Sequence, residues 1–404
     1  MRRSALALAA AGLGVIVVVA AVVLLDDGKP QGANVAVSPT PSPTPSPTAS
    51  ATPAAVLDDR FGFVSLSLAN PPSVWRAAVR REIDARPTHD LLDGVGGRSV
   101  VANYQIPASY GLAVSPDGRR LAYWTVQADQ FPLELQVLDL APGARPRTIV
   151  TLTKEFGDVV GETVVWSSDG TGLVIGVGTS PLRCGADGPP CPPKDAALYL
   201  FESADGKPRE IARIRGGSLV PVAWDRQARL VAAFEVDSGG GRVLAYDLIQ
   251  EVGAIARTPM VIGAGGTVVV EASSDAKQVL AHEYSSPGQV VHVWPLASPE
   301  RAVVLTPGGE QVFAPARWRP GSAEIGVLFG DRLELWDVTG ARRRVQLPPS
   351  TPDFRPFFFR IDGSAAFLGT YGQNPSFVAV ELASGRSAVI PRADWLSASL
   401  RLGQ

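Results

Sequence analysis

Two cysteines and three histidines are the side chains of this 404-residue chain best suited to redox, metal or proton chemistry. Cys184 and Cys191 flank Gly-Ala-Asp-Gly-Pro-Pro and are the entire thiol inventory. In an oxidising compartment that pair predicts a disulfide. The alternative, half of a metal site, lacks a second pair of suitable ligands nearby. So short a loop adds modestly to global stability, and the bridge is expected mainly to stiffen a protruding segment. His282 and His292 are expected on successive strands of one hairpin, where they could approach each other around a metal. The simpler reading makes them ordinary surface or core residues. His89 stands apart from both. The chain contains no G-x-S-x-G elbow, no H-E-x-x-H pair and no phosphate-cradling Gly-Lys-Ser/Thr loop. No catalytic residue, cofactor or metal ligand is therefore assigned.

The elements that would have to position such residues repeat along the chain. Val114-Ser115-Pro116-Asp117-Gly118 lies between two apolar runs, as a turn should. Its counterparts are Trp166-Ser167-Ser168-Asp169-Gly170, the degenerate Trp224-Asp225-Arg226-Gln227, Ala272-Ser273-Ser274-Asp275-Ala276, Trp318-Arg319-Pro320-Gly321 and Phe359-Arg360-Ile361-Asp362-Gly363. Steps from Ser115 onward run between 41 and 58 residues, the longest following the unit that carries an insertion at Pro181–Asp195. A second column recurs after each turn, in Leu135–Leu140, Leu198–Ser203, Val243–Leu248, Val291–Leu296, Leu333–Val338 and Phe377–Leu382. Each unit reads as a four-stranded meander, and a strand-built period of about 40–50 residues is the signature of a propeller blade. Trp166, Trp224, Trp318 and Phe359 share one position, so they are expected to pack between blades. Asp117, Asp169, Asp275 and Asp362 are expected to bond their own turns and to be poor catalysts.

These Ser-Pro-Asp-Gly units resemble the repeats of TolB-type propellers, and Leu335-Trp336-Asp337-Val338 is similar to the strand end of a WD-type blade. The resemblance spans about Tyr110–Pro391 and implies an all-β propeller. It implies little about activity, because propellers host binders, scaffolds and several enzyme classes. The chain departs from the TolB pattern in having a membrane anchor and no room for the extra N-terminal domain, so a TolB-type role in envelope maintenance is not implied. Six units leave Phe61–Ile106 over. A seventh blade is predicted, with six as the alternative. It would combine Phe63–Leu68, Val74–Ile83, Ser99–Ile106 and a closing strand at Trp395–Leu402, so that the two ends of the chain close the ring and leave no exposed edges.

Ahead of the repeats, Arg2 and Arg3 precede an uninterrupted apolar run of 21 residues, Ala5–Leu25, which ends at Asp26 and Asp27. At about 1.5 Å per residue the run spans a bilayer core. A cleaved signal peptide, whose apolar region is shorter and is followed by a small-x-small site, is the competing reading. The arrangement of charge predicts a cytoplasmic N-terminus at residues 1–4, a transmembrane helix at 5–25 and everything beyond on the outside. Residues 26–56, with Ser38–Pro53 made of Ser, Thr, Pro and Ala, form a linker with nothing to bury, semi-rigid and extended. Residues 57–404 form the propeller domain. Lys and Arg total 37 against 39 acids, and Arg342-Arg343-Arg344 is a short solvated run, so no nucleic acid is expected. The expected function is binding or scaffolding toward an extracytoplasmic protein, peptide or glycan. The alternative is a propeller hydrolase, a glycosidase or lactonase, with carboxylates converging in the central channel. A peptidase arrangement is disfavoured, because no hydrolase domain follows the repeats.

Overall fold

The computed structural model describes residues 61–69, 74–80, 89–90, 98–100, 112–127, 133–152, 159–179, 195–204, 206–237, 240–248, 256–262, 267–284, 289–347, 354–370, 376–391 and 395–401. The apolar run 5–25, the linker 26–56, Cys184 and Cys191 lie outside these residues. Among the described residues no helix is long and apolar enough to cross a membrane.

The described strands form antiparallel sheets laid out in chain order, six of four strands and one of five. The fourth sheet shows the plan: Ser218–Asp225, Leu230–Asp237, Gly240–Asp247 and Ala256–Ile262 pair strictly in sequence. Neighbouring sheets touch through their first strands, from Leu112–Val114 to Val159–Trp166, then Ser218–Asp225, Thr267–Ala272, Arg317–Trp318 and Phe354–Phe359. Phe354–Phe359 next meets Trp395–Arg401, which pairs with Phe61–Ala69, and Val74–Arg80 of that same sheet touches Arg98–Val100 of the second. The contacts thus return to their starting point. As the sequence predicts, the C-terminal strand completes the sheet begun at Phe61–Ala69.

One strand is placed differently from the sequence expectation. Arg98–Val100 does not join the first sheet but pairs with Thr125–Gln127 of the second. The reason lies in the strand Arg120–Gln127, whose inner edge Leu112–Val114 covers only from Leu121 to Tyr123. Arg98–Val100 supplies partners for backbone groups that Leu112–Val114 is too short to reach.

The core is a series of layers between adjacent sheets. Leu173 and Ile175 face the second sheet, packing with Trp124 and Leu135, whereas Val174 between them packs with Trp224 and Tyr246 of the fourth. Both faces of such a strand are buried, which is why it reads as continuous rather than alternating apolar sequence. Aromatic rings fill the wedges as expected. Trp224 lies over the bare backbone of Gly172, where an added Cβ would sit 2.4 Å from the ring, and Phe359 covers Gly326 in the same way.

The recurrent turns explain their own sequence. The hydroxyls of Ser115, Ser167 and Ser273 donate to Asp117, Asp169 and Asp275 at 2.5, 2.6 and 2.6 Å. Each carboxylate accepts the backbone N–H two residues on, from Arg119, Thr171 and Lys277. Gly118, Gly170 and Gly363 supply the positive φ of 74°, 70° and 69° that ends the turn.

Candidate functional site

The first strands of the sheets present their edges to a common centre, where a cavity of about 320 Å³ opens. In each of the six repeats the residue just before the recurrent turn segment lines the cavity: Ala113, Val165, Ala223, Glu271, Arg317 and Phe358, four of them preceding an aromatic. Four are apolar and two carry opposite charge. Beyond them Pro116, Ser168, Ser274, Pro320 and Ile361, each the third residue of its turn segment, also line the cavity. In the degenerate repeat the equivalent Arg226 turns aside to Asp169, 3.5 Å away, and to Glu202 at 3.6 Å. The repeated turns therefore ring one end of the cavity.

Glu271 ends the strand Thr267–Ala272 and Arg317 begins the short strand of the next sheet. Oε2 of Glu271 lies 3.7 Å from Nη1 of Arg317 and accepts the backbone N–H of Trp318 at 3.4 Å. The Glu271 side chain keeps 29% of its surface exposed and that of Arg317 only 8%. Glu271 is thus the reachable half of the pair. Burial pushes its pKa up, and the Arg317 guanidinium and Trp318 N–H only partly offset that. Thr163 and Trp318 also border the cavity, and their Oγ1 and Nε1 are buried without a hydrogen-bond partner.

The turn aspartates stay out of the cavity wall. Burial works against ionisation of Asp117, Asp169 and Asp362, yet the hydroxyl, backbone and arginine donors around each hold its pKa below the usual carboxylate range. That is the behaviour of structural caps, as the sequence suggests.

The two strand histidines are not brought together. Ala281 pairs with His292 and His282 with Val291, so the imidazoles leave opposite faces of the sheet and cannot share a metal. His282 is fully buried and accepts the Ala316 N–H on Nδ1 at 2.9 Å. His292 places Nε2 3.2 Å from Oε1 of Glu283. His89 lies on the two-residue strand His89–Asp90 beside Val79. Among the described residues no group of three or more His, Cys, Asp or Glu is placed to hold a metal ion. The arginine run is exposed as expected but is also tied down. Arg342 stacks on Trp336 at 4.2 Å, Arg343 donates to the Leu382 carbonyl at 2.8 Å, and Arg344 pairs with buried Glu334 at 3.2 Å.

Sequence reasoning missed Glu271 and Arg317. A signal existed, since reading down the position before the aromatic shows four apolar residues and then, in adjacent repeats, an acid and a base.

No protein-family profile matches the chain, and no curated protein does. Solved structures match at low identity. A prolyl endopeptidase superposes over 72% of this chain and 43% of its own, with 12% identity and a TM-score of 0.51. TolB from Acinetobacter baumannii matches 84% of this chain and 66% of its own, with 12% identity and a TM-score of 0.43. An oligogalacturonate lyase solved with manganese matches 69% and 78%, with 15% identity and a TM-score of 0.48. The chain covers less than half of the endopeptidase, and at such identities the likeness concerns architecture alone. The sheet order and the closing contacts make this chain an all-β protein of the propeller type.

Proposed function

We propose that the protein is a seven-bladed propeller that works as a binding module, held outside the cytoplasm by a transmembrane helix at residues 5–25 and a linker at 26–56. The observation that carries the binding reading is the composition of the cavity wall. Glu271 is the one carboxylate among the described lining residues, and it is held by Arg317 and the Trp318 N–H. Glycoside hydrolysis of the usual kind divides acid and nucleophile or base roles between two carboxylates about 5–10 Å apart. A concave, largely apolar wall with few convergent polar groups is the usual form of a ligand site. The partner is an extracytoplasmic protein, peptide or glycan approaching the end ringed by the turns.

Crosslinking tests this. A photo-reactive residue at Ser274, on the exposed rim, should form adducts in the parent envelope, and one at Val304, on an outer strand, should not. Turnover of a glycan or lactone that is abolished by Glu271→Gln would replace binding with hydrolysis.

The topology has its own test. A reporter fused at Gln404 should be active only outside the cytoplasm, and the mature protein should retain Met1–Leu25. A free chain with an N-terminus near Ala33 would remove the anchor. In the exported protein Cys184 and Cys191 should resist thiol reagents until a reductant is added, because we assign them to a disulfide.

A further inference from the structure

We infer that the central cavity receives an unbranched aliphatic chain ending in a primary ammonium, such as the side chain of a lysine offered by a partner polypeptide. The inference rests on the binding reading above and adds the chemistry of the occupant.

The first argument is the division of labour at Glu271. Its Oε2 accepts the Trp318 N–H and faces Arg317, and the residue lines the cavity. A hydrogen-bond donor is required there. Arg317 is nearly enclosed and Glu271 is the more exposed of the two, so the pair meets a ligand through its negative end. A ligand carboxylate would be repelled by the group it reached first.

The second argument separates ammonium from guanidinium. Arginine recognises carboxylates best through two parallel hydrogen bonds to both oxygens. A fork would have to share Oε2 with the Trp318 N–H and Arg317, whereas an ammonium is a point charge satisfied by one carboxylate oxygen and hydroxyls. Ser168 and Ser274 also line the cavity, and their hydroxyls already accept the backbone N–H groups of Arg226 and Gly321.

The third argument concerns the stem. Val165, Ala223 and Phe358, at the same position of their repeats as Glu271, make the wall around the carboxylate apolar, which suits methylene groups rather than a polyhydroxylated ring. A cavity of about 320 Å³ takes a small ligand or a single side chain, and not a folded segment.

The experiment uses the full-length protein in nanodiscs at neutral pH and measures binding by calorimetry or ligand-observed NMR. The compounds are n-pentylamine, 1-pentanol, pentanoate, and an acetylated pentapeptide with a central lysine beside its arginine counterpart. Pentylamine should bind at least about tenfold more tightly than pentanol, and pentanoate should not bind. Glu271→Gln, which keeps an acceptor for the Trp318 N–H, should remove the preference of amine over alcohol without changing the melting temperature by more than a few degrees. Ile361→Trp, placed at the rim away from the ion pair, should block amine and alcohol alike. A lysine peptide that outcompetes pentylamine identifies a polypeptide source, and pentylamine binding better than the peptide identifies a free amine.

Pentanoate or pentanol binding as tightly as pentylamine would overturn the inference. So would amine binding unchanged in Glu271→Gln, or no amine binding at all. If crosslinks still form at Ser274 in that last case, the cation chemistry fails and the binding reading stands.

Discussion

Replacing Trp224 by Ala is expected to destabilise the domain by about 3–5 kcal/mol, a loss visible as a lower midpoint in chemical denaturation of the full chain. Trp224 is 1% exposed and is shared by two sheets, packing on Val174, Leu198 and Tyr246 while its ring covers Gly172. The glycine is there because the ring is: a Cβ at that point would also lie 2.6 Å from the Phe201 carbonyl, so the neighbouring backbone cannot yield. Truncation therefore leaves a hole that the third sheet is too constrained to fill. Arg226 adds its guanidinium 5.5 Å from the ring centre, and it loses that platform as well. Since whole domains are stable by about 5–15 kcal/mol, the variant should sit close to the edge of folding. Val304→Ala serves as the comparison, because that side chain is 55% exposed and its loss should stay within about 0.5 kcal/mol. A Trp224→Ala cost below about 1 kcal/mol would refute the packing role. The aromatic position would then have to be reconsidered as part of the cavity's recognition surface.

Much of this was legible in the sequence, for a physical reason. A propeller repeats one local unit, so every blade-level constraint is written several times and can be read by aligning the chain with itself. Ser115 and Asp117 recur as Ser167 and Asp169 because the same hydroxyl, carboxylate and backbone N–H must meet in each turn. The aromatic position recurs in four of the six repeats because a large ring fills the wedge between neighbouring sheets there. What escaped were features that exist only once. The strand expected at Ser99–Ile106 forms instead at Arg98–Val100 in the neighbouring sheet, because a three-residue strand carries no pattern of its own and its pairing is decided by the unfilled edge of Arg120–Gln127. His282 and His292 seemed able to meet because the hairpin register, and hence the face of each, depends on pairing that the chain does not spell out. Glu271 and Arg317 lie in different sheets and become neighbours only when the ring closes. Each alone looks like an ordinary strand residue. It is the comparison across repeats, in the position before the aromatic, that sets them apart from Ala113, Val165, Ala223 and Phe358.

Acidification from pH 6.5 to pH 4 is expected to reduce stability by about 3 kcal/mol through His282 alone. The imidazole is fully buried on the strand Gln278–Tyr284, and burial lowers its pKa from 6.5 to about 4. The neutral ring is also the form the fold needs, because Nδ1 accepts the Ala316 N–H and a protonated ring would point a donor at a donor. Between the two pKa values the unfolded chain binds a proton that the native state refuses. Stability is accordingly complete above pH 6.5 and is lost as pH falls toward 4. The turn aspartates, whose pKa values are lowered, add losses of the same sign only at lower pH. Glu271 works in the opposite direction. Its raised pKa means the native site takes up a proton more readily than the unfolded chain does, so its contribution improves as pH falls toward 4.5. The slope of stability against pH in the Glu271→Gln variant should therefore be steeper than in the parent, and it should isolate the histidine. In NMR the His282 ring signals should stay at their neutral positions down to about pH 5, and a midpoint near 6.5 would sink the account. Protonation of His282 is thus expected to weaken a contact between the fifth and sixth sheets, and because Ala316 immediately precedes Arg317, that contact belongs to the segment that holds Glu271 in place.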